Sequence, residues 1–277
     1  MSRRSSDAAV RWAISLAATL ACVVGPKAQE SAVTNSIGME FVLIHPGTMT
    51  VGRFQPPYPK PPGTAFSAEE YARIEQAAKA DSTPGFPVTI ARPYYIGKYE
   101  VTQAQWKKVM GTNPSIFQGA RVSDDADRHP VDNITWDDAQ AFVKRLNAME
   151  KTAAYRLPTE FEWEYAARAG ADDDIAWSAI REQAIAGYNS YVETHMVGEK
   201  KPNAWGLYDT LGNVWEWVQD YYNEKIFADP TPPLSGKQHV LKGGGFAADV
   251  KNATYLTHAA GPGSKFDVGF RVVKAVE

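Results

Sequence analysis

Asn203 to Trp217 reads NAWGLYDTLGNVWEW, which sets three tryptophans, two asparagines and two carboxylates among glycines at 206 and 212. Its apolar residues keep neither the period of a strand nor that of a helix. This predicts ordered, irregular backbone pinned by large aromatic side chains. Such backbone carries donors and acceptors that must find partners. Asp209, the carbonyls of Gly212 and Val214, and Glu216 are close in sequence, and hard oxygen ligands on a tight glycine-containing turn suit Ca²⁺. A structural reading of the same residues stands beside it: Asp209 caps the turn and Glu216 pairs with an arginine.

Upstream of this stretch the chain announces regular structure. Met39 to His45 reads as a strand closed by Pro46-Gly47. Thr102 with Gln105, Thr135 with Asp138 and Thr159 with Glu162 each pair an N-cap hydroxyl with an acceptor three residues on, predicting three helices. The first would bury Trp106, Val109 and Met110. The second would bury Ala139, Phe142, Val143 and Leu146, a complete i, i+3, i+4, i+7 set. In the third, Pro158 ends the preceding segment and Gly170 is placed to stop the helix. Beyond Gly170 loops and short strands are expected. Between the first strand and Pro87, residues 53–84 read as an insertion, with a proline-rich extended loop over 53–62 and a short helix from Ser67 to about Ala80. It is either a solvated surface excursion or a lid or partner surface. The expected fold is a single α+β domain poor in regular secondary structure, in which the tryptophans serve mainly as core.

A chain of 277 residues, 44% hydrophobic and 12% aromatic, has ample material for one such core. The start carries Arg3, Arg4 and Arg11, an apolar run from Trp12 to Val24, and then Pro26-Lys27-Ala28. This pattern predicts a secretory signal peptide over 1–28, a polar leader over 29–36, and a periplasmic or secreted protein. The apolar run is too short to span a bilayer. Cys22, the sole cysteine, lies inside it, where a lipoprotein signal would acylate it; the leucine of Thr19-Leu20-Ala21 is one position late for that pattern. Cleavage after Ala28 removes four basic residues and one acid, moving the formal charge from −3 to −6. That balance does not favour nucleic acid or an anionic membrane as partner. The expected partner is a peptide, protein or small-molecule ligand.

Six stretches now fall into one order: Gly38-Met-Glu-Phe-Val-Leu-Ile, Tyr99-Glu-Val-Thr-Gln, His129-Pro-Val, Arg156-Leu-Pro-Thr-Glu-Phe-Glu-Trp-Glu-Tyr-Ala-Ala-Arg, Leu241-Lys-Gly-Gly-Gly-Phe and Val268-Gly-Phe-Arg-Val-Val. Together with GLYDTLGNVWEW they resemble the formylglycine-generating enzymes, or sulfatase-modifying factors. The resemblance implies an elaborated C-type-lectin-like fold. It also implies one calcium ion on Asp209, Gly212, Val214 and Glu216, with Asp209 replacing the asparagine common in the enzymes. A second family ion would use Asn189 and the Ser190 carbonyl, plus an acidic loop. Here that loop is short, running from Tyr191 to Pro202, with Glu193 its nearby acid.

The enzymes oxidise a substrate cysteine through copper held by two cysteines, and thiolates are the ligands that select Cu(I). The corresponding positions hold Ala248 and Ala253, the motif serine is Gly245, and Gly261 falls where the enzymes carry an arginine. A copper cofactor is therefore not expected. Trp215, Asp249, Tyr255 and His258 remain as candidate cleft residues, a set able in principle to support acid–base work or hold iron or copper. Two functions follow: a calcium-stabilised binding or accessory protein, or an oxidoreductase of altered, cysteine-independent chemistry in the same cleft.

Overall fold

Each threonine N-cap forms a full capping box. Helices α1 (Gln103–Met110), α2 (Trp136–Glu150) and α3 (Glu160–Ala167) open on Thr102, Thr135 and Thr159, whose side chains accept from the third helical N–H. The side chains of Gln105, Asp138 and Glu162 accept from the cap N–H in return. Two orphan donors are thereby satisfied at each helix N-terminus. Gly111 and Lys151 close α1 and α2 in the left-handed region, at φ +77° and +54°. The buried faces match the periodicity, except that Met110 is half-buried. Trp106 stacks on Phe142 at 5.5 Å, and both rings meet Phe270 edge-on.

This computed structural model describes residues 33–52, 67–69, 72, 76, 85–172, 175, 177–186, 193–227, 231–248, 254–261 and 265–276. The expected signal peptide, most of the 53–84 insertion, and Asn189, Ser190, Asp249 and Ala253 lie outside the described residues. A fourth helix, α4 (Trp177–Gln183), occupies part of the region expected to be loops and strands; no capping pair in the sequence marks it.

Eleven strands form three sheets among the described residues. The first sheet runs β1 (Val33–Thr34), β2 (Glu40–Ile44), β5 (Tyr94–Gly97), β11 (Val273–Ala275), β6 (Tyr155–Arg156), all antiparallel. Its edge strand β1 lies within 29–36, so the end of the expected polar leader is part of the fold. Asn35 makes that possible, because its Oδ1 accepts from the N–H groups of Ile37 and Met39 and folds the turn into β2. A hairpin of β3 (Gly47–Val51) and β4 (Phe86–Ile90) brackets the insertion, with Val51 opposite Phe86 at its root.

The third sheet positions the site. Its order is β10 (Val268–Gly269), β7 (Trp215–Tyr221), β8 (His239–Lys242), β9 (His258–Ala260), with β10 parallel to β7 and the rest antiparallel. Tryptophans fasten irregular backbone to it. Trp136 Nε1 donates to the Val218 carbonyl, Trp217 Nε1 to that of Ile134, and Trp163 Nε1 to the Glu216 carboxylate. The buried Nε1 of Trp106 has no partner among the described residues.

Candidate functional site

The 203–217 stretch is irregular up to Val214, as expected, whereas Trp215 to Trp217 already belong to β7; the local chemistry explains the irregular part. Asn203 donates to the carbonyls of Ala166 and Ala167 at the end of α3, while its Oδ1 accepts from Trp205 and Leu207 N–H. Asp209, Gly212 and Asn213 then take positive φ of 53°, 82° and 58°. Gly212 is compulsory on a second count, since a β-carbon there would lie 1.9 Å from the Ile185 carbonyl oxygen.

This turn brings Asp209 and Glu216 together, both buried, and adds two residues absent from the sequence reading. Arg271 holds Glu216 in a bidentate pair, Nε to Oε2 and Nη2 to Oε1, each 2.6 Å. Arg271 also donates to the Gly97, Tyr208 and Asp209 carbonyls. Glu100 accepts from Asn213 Nδ2 at 2.7 Å and from Val214 N–H at 3.1 Å. Asp209 Oδ2 accepts from Gly198 N–H at 2.7 Å, but its Oδ1 is buried and has no partner among the described residues. The structural alternative therefore holds in part: Glu216 does pair with an arginine.

Three buried carboxylates thus face one guanidinium. Burial, reinforced by Asp209 and Glu216, pushes Glu100 well above the usual carboxylate range, and burial pushes Asp209 up to about 7. Burial opposes the charge on Arg271, but Glu216, Glu100 and Asp209 hold it above its ordinary value. A divalent cation fits this charge balance and the orphaned Asp209 oxygen. Asp209, Glu216 and the Gly212 and Val214 carbonyls would hold it, and it would supply charge neutralisation and a fixed turn. Among the described residues no three His, Cys, Asp or Glu side chains gather as a metal group, so such a site depends on backbone carbonyls.

Of the candidate cleft residues, Trp215 and His258 lie on opposite faces of the third sheet. Strand register aligns Glu216, Lys242 and His258 across β7, β8 and β9, so they share a face, and Trp217, Leu241 and Ala259 share the other. Trp215 belongs with the second set and packs on the core formed by α1 and α2. His258 instead sits over Glu160, Nδ1 to Oε1 3.3 Å, with the rings of Tyr222 and Phe227 at 5.0 and 5.2 Å. Beneath it lies a buried ionic network. Glu164 accepts from Arg168 and from Lys242, and Lys242 also donates to the Tyr255 carbonyl. Burial opposes ionisation of Glu164, yet Lys242 and Arg168 hold its carboxyl below the usual range. Lys242 at the end of the apolar strand β8 and Arg271 in the apolar run between β10 and β11 were the sequence signals for buried partners.

On the Trp215 side, Ala248 is buried and its N–H donates to the Gly245 carbonyl. A β-carbon at Gly245 would lie 3.0 Å from Trp215 Cδ1 and 3.1 Å from both the Asp267 Cβ and its carbonyl oxygen. At Gly261 it would lie 1.9 Å from Trp217 Cζ3. Phe246 packs edge-on against Phe117 and contacts Phe266, which is exposed.

The profile of the Sulfatase-modifying factor enzyme 1-like domain matches residues 27–276. The Chaperone protein LppX of Paenibacillus barcinonensis is 30% identical over 237 residues, 66% of this chain and 80% of that protein. The Formylglycine-generating enzyme of Streptomyces coelicolor is 35% identical over 164 residues; the alignment takes in 51% of this chain and 50% of that enzyme. Among solved structures, Treponema denticola variable protein 1 matches with a TM-score of 0.72 and 26% identity, over 91% of this chain and 100% of that one. PvdO from Pseudomonas aeruginosa matches in fold with a TM-score of 0.68 at 23% identity, over 91% of this chain and 100% of that one. The profile match takes in the 209–216 turn, the Glu164 network and Arg271 alike, and the chain belongs to the sulfatase-modifying factor family, with the fold of the formylglycine-generating enzymes.

Proposed function

We propose that this chain is an exported, calcium-stabilised binding or accessory protein that keeps the family scaffold without its copper chemistry. The carrying observation is the pair Ala248 and Ala253 at the copper-ligand positions of a chain whose one cysteine is Cys22. An alanine methyl group cannot ligate Cu(I). The packing around Gly245 and Gly261 supports the same reading, because Trp215, Asp267 and Trp217 crowd the places of the enzymes' serine and arginine side chains. A relative named as a chaperone is compatible with an accessory role. The basic and apolar start up to Ala28 supports export to the periplasm or medium.

The competing reading, an oxidoreductase of altered chemistry, calls for Trp215, Asp249, Tyr255 and His258 in one cleft. The opposite faces taken by Trp215 and His258 weigh against it.

Two measurements on the purified full chain test the proposal. Elemental analysis should find calcium without stoichiometric iron or copper. A CxPxR-containing peptide incubated with protein, Cu(I) and oxygen should yield no aldehyde by mass spectrometry. Stoichiometric iron or copper would favour the oxidoreductase reading, and aldehyde above a protein-free control would overturn the proposal outright.

A further inference from the structure

We propose that Glu100 is a positioning residue for the calcium site, acting through the turn whose carbonyls face the ion; this rests on the calcium reading above. The residue is remote in sequence and bonds to neither Asp209 nor Glu216. Its two oxygens grip the turn itself, Oε2 on Asn213 Nδ2 and Oε1 on Val214 N–H. These are the residue between the two carbonyl donors and the second of the donors. Asn213 has φ +58° and passes the restraint on, since its Oδ1 accepts from His195 N–H and its Nδ2 also reaches the His195 carbonyl. Glu100 thereby fixes the direction of the Gly212 and Val214 carbonyls.

Glu100 also sets the charge of the site. It is 1% exposed, as is Glu216, with Asp209 at 2%. Among the described residues, Arg271 is the cation that meets all three. With every carboxylate ionised, the cluster carries two negative charges in excess, which one divalent cation neutralises. Asp209 Oδ1, buried without a partner among the described residues, is the independent sign that the cluster expects a ligand. Calcium affinity rises with the number of carboxylates and the rigidity of the site, and Glu100 contributes to both.

The test compares wild type with Glu100→Gln in the full chain. Each is stripped of metal by chelation, titrated with CaCl₂ by calorimetry, and melted in excess chelator and in excess calcium. The expected result is at least a ten-fold weaker calcium affinity in E100Q and a smaller calcium-induced rise in Tm. Gln keeps one acceptor for the two donors that Glu100 serves, so the calcium-induced increment, and not the chelated Tm, decides the test. A merely structural glutamate would lower both melting curves together and leave the calcium increment unchanged; that outcome, or equal affinities, overturns the proposal. Wild type that binds no calcium overturns the calcium reading itself, and this inference with it. Should E100Q not fold, Glu100→Asp carries the test. It keeps the charge but withdraws it from the turn, so affinity must fall, and unaltered affinity refutes the positioning role.

Discussion

Gly261 illustrates how one residue commits the site. The ring it would strike, Trp217, is 2% exposed and tethered through Nε1 to the Ile134 carbonyl, so it has little room to yield. Gly261→Ala should cost about 1–3 kcal/mol as overpacking, read as a lower urea midpoint; an unchanged midpoint would contradict the packing. Asp132 provides a pH test. Its oxygens accept from the Ile116 and Phe117 N–H groups, but burial outweighs these bonds and pushes its carboxyl up to about 7. A carboxyl with a raised folded pKa binds its proton more tightly in the folded state. Stability should therefore fall as pH rises from about 4 towards about 7. Asp132→Asn should flatten that part of the pH profile in denaturant titrations, and an identical slope in both proteins would rule out the assignment.

Of helices α1 to α3, α3 is the most completely buried. Its cap was legible because Thr159 and Glu162 are three residues apart and need nothing else to bond. Its buried partners were not legible, since Lys242 comes from β8, 78 positions away. Glu164 and Lys242 are both fully buried, as is the Arg168 side chain. Removing the carboxylate takes from both buried cations the acceptor they share, and the Glu160 carboxylate beside Lys242 is 3.8 Å away. Glu164→Gln should lose about 3–5 kcal/mol of unfolding free energy, far beyond a surface ion pair. A loss under about 1 kcal/mol, measured by equilibrium denaturation, would mean that water or another group satisfies the cations. Helix α4 shows the converse: without a capping pair, its sequence carries no local start signal.

For the whole molecule, calcium should act as a stabiliser that joins distant segments, because the 209–216 turn is tied to Glu100 from before α1 and to Arg271 near the C-terminus. A ligand held by the native state alone adds about 2.7 kcal/mol at ~100-fold excess over its Kd. Chelation should thus lower Tm, and Asp209→Ala should remove most of the difference between chelated and calcium-loaded protein. Equal melting with and without chelator, combined with wild-type behaviour of Asp209→Ala, would show the ion assigned to the wrong place. No helix among the described residues is long and apolar enough to cross a membrane.

The sequence alone determined whatever rests on near neighbours or on composition: three capping boxes, the buried face of α2, the irregular backbone from 203 to 214, the family, and the absence of cysteine at 248 and 253. Such features need a few adjacent residues to declare themselves. Tertiary structure alone decided partners and faces. It gave Glu216 to Arg271, set Glu100 on the Val214 turn, drew part of the expected leader into β1, and parted Trp215 from His258. The last point has a simple physical cause. Along a strand side chains alternate between faces, so the register of β7, β8 and β9 decides which residues meet, and register is settled by pairing between segments far apart in the chain.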